Sequence, residues 1–276
     1  MNGRTEKRLR TTGRVLFITM LTVFVVAPLV AILGSSVTTS TSWRFPPDGV
    51  TSQWYEEFAN SGALVRAAGT SVAVGVVVAL TGTVIGMLAA LAIGRDRRGE
   101  RKLLGMLALL PLLFPNIALG LAILTFYVEA GIPVGVGTLA IAQLVLVLPF
   151  VIRILMVGIS SVRSSAERAA QNLGAGPVTT LFRVTFPMMR GAIVAAVVLA
   201  LVQSLDDAAI ALFVNTGRLV TLPVALLFLR ETEGGPLIAA GGSVLLIVGV
   251  VLLVVMARSF GLGRAFGFGG QGTKGS

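Results

Sequence analysis

Six stretches of this chain are long and apolar enough to cross a lipid bilayer, and they take up most of its length: residues 15–34, 67–94, 103–127, 137–158, 191–214 and 237–256. At about 1.5 Å of rise per helical residue, the first covers about 30 Å, one hydrocarbon core. No comparable length of polar sequence remains for a soluble domain. Of 276 residues, 55% are hydrophobic and 12% charged, and the mean hydropathy of +0.93 lies outside the soluble range. The expectation is an all-α membrane protein with six transmembrane helices. A basic start followed by an apolar run also fits a signal peptide. The first run exceeds the usual apolar core of about 7–15 residues, so a retained span is expected.

The net charge of +10 is unevenly placed. Of the 22 Lys and Arg, only Arg44, Arg66, Arg218 and Arg230 fall in the two long loops of one face. The others cluster in the N-terminal segment, the 95–102 loop, the central loop and the tail. This asymmetry places both termini and the central loop in the cytoplasm. The charge is therefore topological, and no nucleic acid is needed to explain it. The organisation reads as a basic cytoplasmic N-terminus at 1–14, one transmembrane domain at 15–258 that includes the loop 159–190, and a loose Gly-rich tail at 259–276.

Catalytic chemistry has little to stand on. Cysteine and histidine are absent, which removes disulfides, thiolate nucleophiles, the usual proton carrier and the commonest metal ligand. No phosphate-binding G-x-x-x-x-G-K-[ST] occurs, and the terminal GFGGQGTKGS lacks its spacing. No metal site, no catalytic residue and no ATP site are expected on this chain.

Three interruptions of the apolar runs carry the functional signal. Pro111 and Pro115 break the third run at membrane depth, which is tolerated where the freed carbonyls face protein or a wet cavity. Asn116 follows and lines such a cavity, or else belongs to a plain kinked helix. Asp206 and Asp207 stand together in the fifth run, where each carboxylate costs about 2.5–3.5 kcal/mol at the bilayer centre. Adjacent helical residues point about 100° apart. One aspartate is therefore expected to line a path and the other to cap or pair, unless the site lies at the outer headgroups. An acidic wall favours cationic cargo. Gly82 and Gly86 form a small-xxx-small pair for close helix packing.

The third interruption is the central loop, SSAERAAQNLGAGPVTTLFRVTFPMMR. Residues 166–173 are good helix formers. Gly174 sits where a helix end takes a left-handed residue, Pro177 where a second helix begins, and Pro187 punctuates again. The loop is either an amphipathic stretch on the headgroups or a rigid docking element. On the opposite face, Trp43, Phe45, Trp54, Tyr55 and Phe58 suit a membrane interface, and residues 220–229 are apolar enough to re-enter the membrane surface.

The central loop resembles the E-A-A-x-x-x-G loop of ABC importer permeases, the inner-membrane subunits of binding-protein-dependent uptake systems. Ala169, Ala170, Gly174 and Pro187 match; Arg168 stands at the motif glutamate, and Glu167 precedes it. WRFPPDGVTSQWYEEF and SLDDAAIALFVNTG, followed by VTLP, are similar to the spermidine/putrescine branch. The resemblance implies a type I importer permease fold in the bacterial cytoplasmic (inner) membrane. It implies a second permease subunit in a heterodimer, two cytoplasmic ATPase subunits that bind ATP and Mg, and an extracytoplasmic solute-binding protein. Glu167, Arg168, Ala169, Ala170, Gly174, Ala175, Pro177 and Pro187 would form the coupling helix region that meets the ATPase. ATPase closure would switch the permeases from inward- to outward-facing. Phe45, Pro46, Pro47, Trp54 and Tyr55, with the 215–236 segment, would face the binding protein. Asp206, Asp207 and Asn116 would line the substrate path of a polyamine or similar cationic amine. Asn116 replaces an acidic residue frequent in that branch, and related permeases carry iron, phosphonate-type compounds and other small solutes. An ion-coupled secondary transporter would instead show an inverted repeat and several buried ionisable groups; a passive scaffold would tolerate loss of both aspartates.

Overall fold

The computed structural model describes residues 3–43, 45–94, 102–162, 164–215, 219–232 and 234–259. The basic loop at 95–101, Arg44, Arg163, Arg218 and the tail from 260 lie outside these residues. The described chain is helical apart from turns and isolated bridges, among them the antiparallel bridge of Thr38 to Val50. Helix α1 covers Gly3–Ser35, α2 Gln53–Asn60 and α3 Gly62–Gly94. Then come α4 at Lys102–Leu107, a 3₁₀ turn at Leu110–Leu113, α5 at Asn116–Glu129 and α6 at Val136–Ser161. Helix α7 is Ser164–Asn172, α8 Pro177–Met188 and α9 Arg190–Asp206. Helices α10 at Ala209–Phe213, α11 at Leu222–Thr232 and α12 at Pro236–Ser259 close the chain.

Four helices among the described residues are long and apolar enough to cross a membrane: Thr11–Ser35 of α1, α3, α6 and α12 up to Arg258. Joining α8 and α9 across a 73° bend gives a fifth. The third apolar run is divided. Phe114 (ψ 143°) and Pro115 (ψ 134°) are extended, and α5 beyond them has only 14 residues, about 21 Å. The cause is the pair of prolines: Pro115 disfavours a helical Phe114 and has no N–H of its own. The fifth run is divided too, between Asp206 and Ala209. Helix α1 begins at Gly3, so helical backbone runs through the basic N-terminal segment without a break at 14.

Contacts separate the chain into two compact units: residues up to Val65 with Leu226–Val244, and Arg66–Ala225 with the segment from Leu245. The second unit holds the larger core, in which Val74 and Val78 of α3, Leu146, Val151 and Leu155 of α6, Ala196 and Ala200 of α9, and Ile210 of α10 are buried together. A Cβ on Gly86 would sit 2.5 Å from Val151 Cγ1, and one on Gly82 3.1 Å from Leu144 Cδ2. The small-xxx-small pair thus brings α3 against α6. Such contact matters in lipid, where association rests on packing rather than on escape from water.

In the first unit the segment between α1 and α2 is braced from within. Trp54 is buried and its Nε1 donates to Thr38 O at 2.7 Å; Tyr55 Oη shares a 2.7 Å hydrogen bond with Ser36 Oγ. Thr51 N–H adds a 2.8 Å bond to Val37 O beside the bridge.

Candidate functional site

Polar groups collect where α9 ends. Asp207 is extended (ψ 109°), and its carboxylate takes over the amides that a continuous helix would have used. Oδ1 accepts from Ile210 N–H at 3.1 Å and Oδ2 from Ala211 N–H at 3.2 Å. This is the logic of an N-cap: a short acidic side chain replaces absent carbonyls. From α6, Gln143 Nε2 donates to the same Oδ2 at 3.0 Å and, at 3.5 Å, to Ser204 O in the last turn of α9. Ser204 Oγ donates back to Gln143 Oε1 at 2.5 Å. Gln143, Ser204 and Asp207 are 0%, 4% and 6% exposed, so the network is closed to solvent.

Asp206 is its opposite. It is exposed at the tip of α9, and no side-chain partner faces it among the described residues. Asn116 is exposed at the first position of α5. The two breaks lie close together. Gly120, one turn beyond Asn116, packs on α10 so tightly that a Cβ would meet Ala209 O and Ile210 Cα at 3.1 Å and Phe213 Cδ2 at 2.9 Å. Asn116 and Asp206 are exposed and Asp207 is buried. Of the two aspartates, one of which was expected to cap or pair, Asp207 is the one that caps.

The central loop is a hook. Helix α7 ends in a Schellman pair of hydrogen bonds, Gly174 N–H to Gln171 O at 2.9 Å and Ala175 N–H to Ala170 O at 3.0 Å. Gly174 has φ +88°, the left-handed value this ending requires. Pro177 then opens α8, and Thr180 Oγ1 reaches back to Gly176 O at 3.1 Å. The hook is clasped by Thr185 Oγ1, which donates to Glu167 Oε1 at 2.5 Å. A π-helical turn at Leu181–Thr185 precedes that clasp, and Thr185 itself is fully buried. Arg168, Ala169, Gly174, Pro177 and Pro187 are exposed; Glu167, Ala170 and Ala175 are partly buried. Between them stand exposed apolar side chains, Leu173 (89%), Val178 (68%) and Phe182 (62%).

On the other loop, Phe45 and Pro46 are exposed and Pro47 and Tyr55 half-buried, while Trp54 faces inward. Gln143, Ser204, Thr185 and the apolar trio on the hook escaped the sequence reading. Gln143 had left a trace: it is the one polar residue between Thr138 and Arg153.

The family described as binding-protein-dependent transport system inner membrane component matches residues 82–262. The spermidine/putrescine transport system permease protein PotC of Haemophilus influenzae is 29% identical over 215 residues, 78% of this chain and 82% of that protein. The putrescine transport system permease protein PotI of Escherichia coli K12 is 29% identical over 265 residues, 91% of this chain and 92% of the relative. Among solved structures, a bacterial ABC transporter that imports the polysaccharide alginate aligns with a TM-score of 0.70 at 16% identity, over 94% of this chain and 99% of the other.

Proposed function

Given that the chain belongs to the binding-protein-dependent transport system inner membrane component family, and is therefore a permease subunit of an ABC importer, we propose that it passes a polyamine or similar small cationic amine into the cytoplasm. The observation that carries the cargo assignment is the exposed Asp206 carboxylate at a helix break within an apolar run; Asn116, at the start of α5, is exposed as well. A carboxylate left open at that depth is costly unless it meets water or a cation. An ammonium group supplies the charge and N–H donors that both side chains accept. The similarity to PotC and PotI supports the same cargo class.

In this reading a second permease subunit completes the path, and an external solute-binding protein loads it from the face of Phe45 and Pro46. Two partner ATPases hold ATP and Mg and hydrolyse the nucleotide in the cytoplasm. They meet the hook, where Leu173, Val178 and Phe182 offer an apolar contact beside the Arg168 charge. Both termini face the cytoplasm.

The experiment is a ligand screen on the cognate binding protein, followed by uptake into vesicles carrying the assembled complex. Binding and uptake of labelled putrescine or spermidine are expected. Selective binding of ferric iron or an aminophosphonate, with no amine uptake, would move the assignment to another small solute.

A further inference from the structure

We propose that Gln143 is a positioning residue for transport: together with Ser204 it locks Asp207 onto the break between α9 and α10, so that Asp207 serves the backbone and Asp206 alone of the pair meets the cargo. The proposal rests on the reading of Asp206 as a path-lining group.

Asp207 is saturated. Its two oxygens receive Ile210 N–H, Ala211 N–H and Gln143 Nε2. All of these partners lie in the interior, and the side chain is 6% exposed. An ammonium ion would have to displace an amide to reach it.

The Gln143 amide is equally committed. Its oxygen receives the Ser204 hydroxyl, and its NH₂ faces one carboxylate oxygen and one main-chain carbonyl. Turned over, that amide would set its oxygen against the Asp207 carboxylate, so the present orientation is the one with every donor opposite an acceptor.

Remove this lock and the Ser204 carbonyl and the Asp207 carboxylate lose donors where water is scarce. The break then has no reason to stay at 207–208. Because consecutive helical residues diverge by about 100°, a break shifted by one position swings Asp206 off its present heading. The aim of the cargo-facing carboxylate is thus set from α6, 64 residues away along the chain.

The test uses the assembled complex with its binding protein and labelled spermidine. Asp206→Asn is expected to lower uptake about tenfold or more, and Asp207→Asn by a smaller factor, about threefold, because an asparagine and a turned Gln143 amide re-pair. Gln143→Glu sets two carboxylates face to face and should lower uptake about tenfold. The double variant Gln143→Glu/Asp207→Asn again sets an amide donor at 207 against the carboxylate at 143 and should recover part of that loss, although the Ser204 carbonyl and the Ala211 N–H lose their partners. Equal losses for the two single asparagine variants, with no recovery in the double variant, would overturn the lock and make Asp207 a cargo contact. If the wild-type complex carries no amine, it is the cargo assignment that fails. The lock is then judged by the melting temperature of the complex: Gln143→Glu lowers it and the double variant raises it again, and absence of that rescue rejects the proposal.

Discussion

Two neighbouring residues of one type, Asp206 and Asp207, come to opposite ends in this structure, and the difference lies in what surrounds them. Asp207 meets two free amides and a glutamine; Asp206 meets none of these. Sequence gave both the same cost and allowed one to cap, but it could not choose, because the choice depends on a residue of another helix. Gly174 was legible in full: a glycine after a run of helix formers predicts a left-handed ending, and φ is +88°. A Cβ there would touch nothing within 4 Å, so any effect of substitution is conformational rather than steric. Gly174→Val should strain the hook by about 1–2 kcal/mol and separate ATP hydrolysis from uptake in the complex, while Gly174→Asn, tolerant of this region, should be milder. Unchanged uptake in the valine variant would argue against a coupling role. Trp54 shows the opposite lesson. An aromatic in a polar loop suited a membrane interface; the structure adds that its buried indole holds Thr38 O. Trp54→Phe should cost about 1–2 kcal/mol, read as a lower melting temperature of the purified complex.

Among the elements, the interrupted helices decide the arrangement. The prolines announced the break before α5. The break before α10 was announced only by its aspartates, and the separate five-residue helix beyond it was not. Short apolar helices differ little in sequence from the ends of long ones, and only the capping partners reveal them. The packing of α5 on α10 gives a direct test. Gly120→Ala places a methyl 3.1 Å from main-chain atoms of Ala209 and Ile210, which cannot rotate away. It should destabilise by about 1–3 kcal/mol. Gly137→Ala, with open space around its Cβ, should be nearly neutral in the same melting experiment. Comparable shifts for the two would deny the close approach. The clasp from Thr185 to Glu167 joins α8 to α7 across a π-helical turn. No periodicity argument reaches such a pair, since the π turn alters the register that periodicity assumes.

For the molecule as a whole, the hydrophobic runs and the asymmetry of basic residues were enough to predict a helical membrane protein. The alginate importer aligns along nearly its whole length at 16% identity, as expected when span length and charge placement constrain the chain more than individual side chains do. Orientation is open to a clean measurement, because the chain has no cysteine. Ser52→Cys, exposed in the segment between α1 and α2, should react with a membrane-impermeant maleimide in intact cells. Gln171→Cys, exposed on α7, should react only after the membrane is opened. Reversal of that pattern would invert the topology.

The 73° corner between α8 and α9 has a mechanical consequence. Its two arms are unequal, about 18 Å for Pro177–Met188 and about 26 Å for Arg190–Asp206 at helical rise. Met189 is buried at the corner, and main-chain bonds from Met189 to Thr185 and from Ile193 to Met189 carry through it. A corner of this shape, held rigid, would work as a bell crank. A rocking of about 5° around that pivot would shift the Asp206 tip by roughly 2 Å, about half as far again as the short end travels.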